Sequence, residues 1–154
     1  KLEALGIRGP QVGELSRKGS VTIGERVVRV EEVSIHRQGS SFALVMDTRA
    51  CKGAVVLARD VDLLVMEATY SAEDQQLATE HGHCSSLDAA RTARDAKAHR
   101  LALTHFSQRY QDTEQHVKEA REIFSNSFAL RDLDRVIIPR RRGPESPEPS
   151  PENS

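Results

Sequence analysis

Apolar and polar residues alternate in two different ways along this chain, and the change comes near residue 40. Before it, apolar positions are scattered among charged ones and only short elements stand out. Residues 1–7 read as a helix end stopped at Gly6. Gly9-Pro10 reads as a turn or extended kink, because proline fixes its own backbone and pushes its predecessor out of the helical region. Val21-Thr22-Ile23 and Arg26-Val27-Val28-Arg29-Val30, flanking Gly24-Glu25, predict a β-hairpin with β-branched strands. The rest of the first thirty residues reads as irregular and polar.

From Ser41 onward apolar runs alternate with helical spacing. Phe42-Ala43-Leu44-Val45-Met46 is unbroken, bounded by Gly39 and Asp47, the pattern of a strand buried on both faces. Residues 54–58 predict a short helix, and residues 61–66 a second buried strand closed by Glu67. Ser71 is expected to cap a helix in a loose capping box with Asp74, and that helix should end near Gly82. Ser86-Leu87-Asp88 opens another, with Leu87, Ala90, Ala93 and Ala96 at helical spacing. Residues 100–104 predict a third strand closed by His105. Residues 113–124 predict a helix with Val117, Ala120, Ile123 and Phe124 on one face, and residues 128–130 and 136–138 predict short final strands. Strands alternating with helices make the fold class α/β. Residues 139–154 are different: Arg140-Arg141-Arg142, then proline, glutamate and serine with no aromatic. Such a segment buries too little to offset the entropy of ordering and reads as a disordered tail, its arginines solvated.

Composition narrows the classes. The chain has 154 residues, 38% hydrophobic and 29% charged, with a formal net charge of −1. That is long enough for one domain with a real core, and it excludes collagen-like, coiled-coil and disulfide-scaffold proteins. No apolar run reaches the roughly 18–20 residues a membrane helix needs, and no secretory signal opens the chain. The near-zero charge removes the global signature of a nucleic-acid binder and leaves room for a local patch. Cys51 and Cys84 are too few for a disulfide framework and read as reduced cytosolic thiols. Lys1 stands where a native start carries Met, so a fragment or a processed product is expected.

The chemistry gathers where the three predicted strands end, at Asp47, Glu67 and His105. In layered α/β folds, sites collect at the carboxyl ends of strands, although polar residues often end strands for no further reason. Asp47 can ligate a metal, or either it or Thr48 can cap the next helix. His81-Gly82-His83 offers two imidazoles at a spacing that suits one metal on extended backbone. His83 is also placed to exchange protons, or to be only a surface histidine at a helix start. Cys84 is either a ligand or a buried inert thiol. His105 is a metal ligand or a histidine at the edge of a core. Arg109 can pair with phosphate, and Tyr110 can stack or donate a hydrogen bond. His36, His99 and His116 lie in polar contexts and are expected at the surface.

Met46-Asp47-Thr48-Arg49, Met66-Glu67-Ala68-Thr69-Tyr70, Gly82-His83-Cys84-Ser85 and Leu103-Thr104-His105-Phe106-Ser107, then Arg109-Tyr110, come in that order. Together they resemble the later motifs of ribonuclease Z, the tRNA 3′-end processing endonuclease of the metallo-β-lactamase superfamily, in its actinobacterial style. The resemblance implies the C-terminal half of an αββα sandwich over residues 1–138, with residues 1–18 as the distal part of a tRNA-gripping arm. It implies a cytoplasmic, homodimeric, two-zinc enzyme that removes the 3′ trailer from precursor tRNA, by metal-hydroxide attack after the discriminator nucleotide. It implies Asp47 as the carboxylate bridging the two zincs and His105 as a terminal ligand. His83 then protonates the leaving oxygen, with Glu67 as its partner, and Thr69, Ser107 and Arg109 contact RNA phosphates. The His-x-His-x-Asp-His motif of the family's first half is absent from this sequence, so the chain alone is expected to be inactive. Two alternatives are another metallo-β-lactamase-fold hydrolase of small esters or phosphodiesters, and a non-catalytic fragment acting as a binding module.

Overall fold

The computed structural model describes residues 2–35 and 39–138. The predicted tail with Arg140, Arg141 and Arg142, and the expected surface position of His36, lie outside them. Two compact units divide the chain, one ending at Gly39 and one beginning at Ser40.

In the first unit, a 3₁₀ turn at Glu3–Leu5 stops at Gly6, as the sequence suggests. The segment after Gly9 is helical rather than irregular. Helix α1 spans Pro10–Lys18, with Pro10 in its first turn, where the missing N–H costs nothing and the fixed φ already suits a helix. Strands β1 (Ser20–Ile23) and β2 (Arg26–Arg29) form the expected antiparallel hairpin, and a single turn, α2, covers Val30–Val33. Ile7, Leu15, Val21 and Val28 make a small core of their own.

In the second unit, β3 (Phe42–Val45), β4 (Leu63–Glu67), β5 (Leu101–Thr104) and β6 (Ser127–Ala129) form one parallel sheet in chain order. Between them run α3 (Lys52–Leu57), α4 (Gln75–His81), α5 (Ser86–Asp95) and α6 (Glu114–Ile123). Ala43, Val45, Leu64, Met66, Leu101 and Leu103 cluster with alanines of α3, α5 and α6. Small residues let these helices approach the sheet closely, and the core forms there.

Four expectations need correction. Strand β3 is not buried on both faces: Phe42 is 64% and Leu44 56% exposed, because β3 is an edge strand whose second face has no helix over it. Ser71 does not cap α4, which starts four residues later; Ser71 is buried, and its N–H donates to the Tyr110 hydroxyl at 3.0 Å. Residues 136–138 form no strand, and Ile137 stands 82% exposed. His116 is fully buried rather than at the surface, while His99 is exposed as expected. The helix after His83 does carry a capping box, made by Ser85 and Asp88.

Candidate metal centre

Parallel strands in sequence order put their carboxyl ends along one edge: Glu67 ends β4 there, and the loops leaving β3, β4 and β5 carry Asp47, Thr69 and His105. Asp47 and His105 each come just after a strand with positive φ, 49° and 58°. Non-glycine residues adopt that region at a cost of about 1–3 kcal/mol, which the surrounding structure must hold in place; Asp and His are among the types that enter it most readily, and Asp60, Lys97 and Leu133 adopt it away from the site. His83 arrives from a third direction. Gly82 ends α4 in the left-handed conformation, at φ 78°, and turns the chain so that His83 enters the site before α5 begins. Ligand atoms of Asp47, His83 and His105 all lie within 4.8 Å of one another.

The centre of the support is Glu67, whose side chain is wholly buried. Its Oε1 accepts the Thr48 N–H at 2.5 Å. Its Oε2 accepts the Thr69 hydroxyl at 2.9 Å and the Cys84 N–H at 3.0 Å, and it lies 2.9 Å from His83 Nδ1. The Thr69 oxygen also lies 2.9 Å from His105 Nδ1. Counting protons fixes both rings. Thr69 has one hydroxyl proton and gives it to Glu67, so its oxygen accepts and His105 Nδ1 carries the hydrogen. His83 likewise donates from Nδ1 to the carboxylate. Both Nε2 atoms are left for the open side, where His105 Nε2 meets Asp47 Oδ1 at 3.4 Å. Two imidazole nitrogens and a carboxylate converge there, and either a proton or a metal ion satisfies them. Nitrogen and oxygen donors oriented through their far atoms are what a divalent metal such as zinc takes. The residues present therefore fit a metal ion.

The remaining expected site residues surround this cluster. Thr69, expected as an RNA contact, has its hydroxyl occupied by Glu67 and His105. The Ser107 N–H donates to the Thr69 carbonyl at 3.0 Å. Arg109 lies over the Tyr70 ring, 5.2 Å from its centroid, with Nη1 3.5 Å from Asp74. Tyr110 donates to Asp74 and accepts from the Ser71 N–H, which ties the loop after His105 to the start of α4. The two histidines of His81-Gly82-His83 part company: His81 belongs to α4 and stacks on Tyr70 at 6.2 Å, outside the cluster. Asp47 caps nothing, since α3 begins only after Cys51 and has no side-chain cap. Cys84 is buried and donates to the Thr48 carbonyl, and burial pushes its thiol up to about 12, so it is inert. Cys51 and Cys84 are both free, in keeping with reduced thiols. Sequence reasoning missed the Thr48 and Cys84 N–H groups, which carry no residue-type signal, and Tyr70, whose ring touches two of the loops.

His116 sits behind the loop after His105. Its ring meets Phe106 at 5.1 Å and Tyr110 at 4.5 Å, both edge-on, and neither nitrogen has a hydrogen-bond partner. Its place one helical turn before buried Ala120 was the available signal. Burial pushes its pKa down, against the smaller pull of Glu119, Asp112 and Asp74. A histidine held neutral in the fold contributes full stability above its unfolded pKa, near 6.5, and loses it as pH falls from there through the lowered value. The chain is expected to melt at a lower temperature at pH 5.5 than at pH 7.5, with a smaller difference in His116→Leu. Equal pH dependence in the two proteins would remove His116 as the cause.

No protein-family model matches the chain. Its sequence is 50% identical to a ribonuclease Z of Nocardia farcinica and 49% identical to one of Streptomyces coelicolor, in each case over 92% of the chain. The sequence resembles ribonuclease Z along nearly its whole length. The match to the Nocardia protein leaves 8% of the chain outside, so residues 47–109 fall inside it. The chain spans about half the length of these ribonuclease Z relatives, 47% and 46%. Among solved structures it is similar to the short form of human tRNase Z, with 31% identity and a TM-score of 0.50 over 73% of this chain and 37% of that one. It is also similar to YhfI of Bacillus subtilis, a metallo-β-lactamase-fold protein, with 28% identity and a TM-score of 0.54 over 58% of this chain and 36% of the other. The α/β fold with its parallel sheet is thus part of a metallo-β-lactamase fold.

Proposed function

We propose that residues 1–138 are the carboxyl-terminal part of a zinc-dependent endoribonuclease that removes the 3′ trailer from precursor tRNA, completed by a part that supplies the other ligands. The observation that carries this reading is the Asp47–His83–His105 cluster, buttressed by Glu67, in a sequence half identical to ribonuclease Z. Asp47 and His105 would hold zinc, Asp47 through its carboxylate and His105 through its imidazole. When bound, zinc supplies a Lewis acid that makes hydroxide available near neutral pH and offsets charge on the phosphoryl group. Glu67 fixes His83 so that Nε2 faces the cleavage point, and a proton carried there passes to the departing 3′ oxygen. Thr69 acts by orienting His105, while Ser107 and Arg109 line the way for RNA phosphates. Residues 1–18 belong to the arm that grips tRNA. The assembled enzyme is a cytoplasmic homodimer; among the described residues no helix is long and apolar enough to cross a membrane.

The test combines this chain with the remaining half of the Nocardia farcinica relative, zinc and a precursor tRNA. Trailer release is expected from the pair and not from the chain alone. In that assembly His83→Ala is expected to slow cleavage by about 10²-fold or more with zinc content unchanged, the range of a lost general acid. Asp47→Ala is expected to lose zinc. Zinc loss in His83→Ala would make His83 a ligand instead of the proton donor. Hydrolysis of small esters without cleavage of precursor tRNA would replace the tRNA reading with that of a different hydrolase.

A further inference from the structure

One cation beside the cluster is uncommitted. Arg49 comes after Asp47 and Thr48 on the loop leaving β3, and it is exposed. Its guanidinium lies against the backbone of Gly82, the residue before His83: a Cβ built on Gly82 would stand 3.5 Å from Nη2. Thr48, its chain neighbour, is fixed through its N–H to buried Glu67, and Gly82 is fixed as the left-handed end of α4. The Arg49 backbone is thus anchored next to Asp47 and its guanidinium reaches the residue before His83, while its charge meets no carboxylate: among the described residues it enters no ion pair. Arg109 differs. Its guanidinium has Asp74 at 3.5 Å and the Tyr70 face beneath it, so part of its charge is already answered.

We infer that Arg49 binds a backbone phosphate of the RNA next to the bond being cut, and that its contact contributes more to affinity than that of Arg109, whose charge Asp74 already partly answers. The inference rests on the tRNA-processing reading above. A guanidinium is the group that suits a phosphodiester, because its planar fork matches two phosphate oxygens.

The experiment measures binding of precursor tRNA to the assembled, zinc-loaded protein across a salt series, together with cleavage. Arg49→Ala is expected to weaken binding about tenfold and to lower the slope of log affinity against log salt by about one, the signature of a single lost phosphate contact. Arg49→Lys should restore the slope while recovering only part of the affinity, since an ammonium keeps the charge without the fork. Arg109→Ala should lower the slope by less than Arg49→Ala, because Asp74 and the Tyr70 face already answer part of its charge. Zinc content should stay the same in all three. If the unsubstituted assembly cleaves precursor tRNA and Arg49→Ala binds it with the same affinity and slope, the role of Arg49 is overturned and the function stands. If the unsubstituted assembly neither binds nor cleaves precursor tRNA, both fall together.

Discussion

Replacing Glu67 by alanine is expected to cost this chain more than any other single change at the site, in fold and in metal affinity at once. The carboxylate is fully buried and takes hydrogen from Thr48 N, Cys84 N, the Thr69 hydroxyl and His83 Nδ1. Two of those donors are backbone groups that cannot turn away to find water. Each buried donor left without a partner costs about 1–3 kcal/mol, and water entering the vacated space recovers part of that, so a net loss of roughly 3–6 kcal/mol is expected. The second effect runs through the rings. Without Glu67, His83 loses its orientation directly, and His105 loses it through Thr69, whose hydroxyl proton no longer has a fixed acceptor. Support residues behind metal ligands typically contribute about 10–100-fold in affinity, and Glu67 stands behind the ligand His105 through Thr69, so a loss within that range is expected. Denaturant unfolding of the zinc-free chain measures the first effect. Competition for zinc against a chelator measures the second. Glu67→Gln separates them: its one amide oxygen can keep the three donors at Oε2, so zinc affinity should fall less than in Glu67→Ala, while the Thr48 N–H left facing the amide NH2 still costs stability. Stability and zinc affinity both unchanged in Glu67→Ala would remove Glu67 as the organiser of the cluster.

The strand tips were legible because a parallel strand buried by its neighbours is written as an apolar run, and the first ionisable residue after it marks the edge where loops gather. Asp47, Glu67 and His105 all obey that rule. The support that holds them together was less legible. The link from His105 to Glu67 passes through Thr69, 36 residues away along the chain, and residue type alone did not say which way its hydroxyl points. The support under Glu67 is half backbone N–H, for which every non-proline residue looks alike. Helix α1 was hidden because Gly9-Pro10 signals a turn and a helix start equally well, and Gly13 interrupts the pattern after it. His116 reads as polar among polar neighbours, yet it falls on the buried stripe of α6, where aromatic edges rather than hydrogen bonds receive it. Strand β3 shows the limit of the apolar-run rule most clearly. The run predicts two covered faces, and the second cover is absent among the described residues.

That uncovered face sets the second large expectation. Phe42 and Leu44 point to the side of the sheet opposite the helices, in register with Leu63 and Val65 of β4, and they stand 64% and 56% exposed. Phe128 adds to the same face from β6, with the Arg100 guanidinium 4.9 Å above its ring. In a sandwich this side receives the second sheet, which fits relatives about twice as long as the chain. Fully burying a Phe or Leu contributes about 1.5–3 kcal/mol, so the pair accounts for roughly 3–6 kcal/mol of association. Phe42→Asp with Leu44→Asp is therefore expected to weaken binding to the remaining half by at least about 100-fold, at about 1.4 kcal/mol per factor of ten. The isolated chain should lose little stability, because both side chains already face water in it. Its metal cluster should persist, because the loop bearing Asp47 stays tied to Glu67 through the Thr48 N–H. Val56 and Leu57 give the contrast. They are each 61% exposed but lie on α3, a helix packed on the other side of the sheet. Changing them to aspartate should leave assembly intact. Calorimetric titration of each variant with the remaining half reads the difference, and the reverse result, with α3 sensitive and β3 indifferent, would mean that the helical side receives the partner and that the sheet face has another purpose.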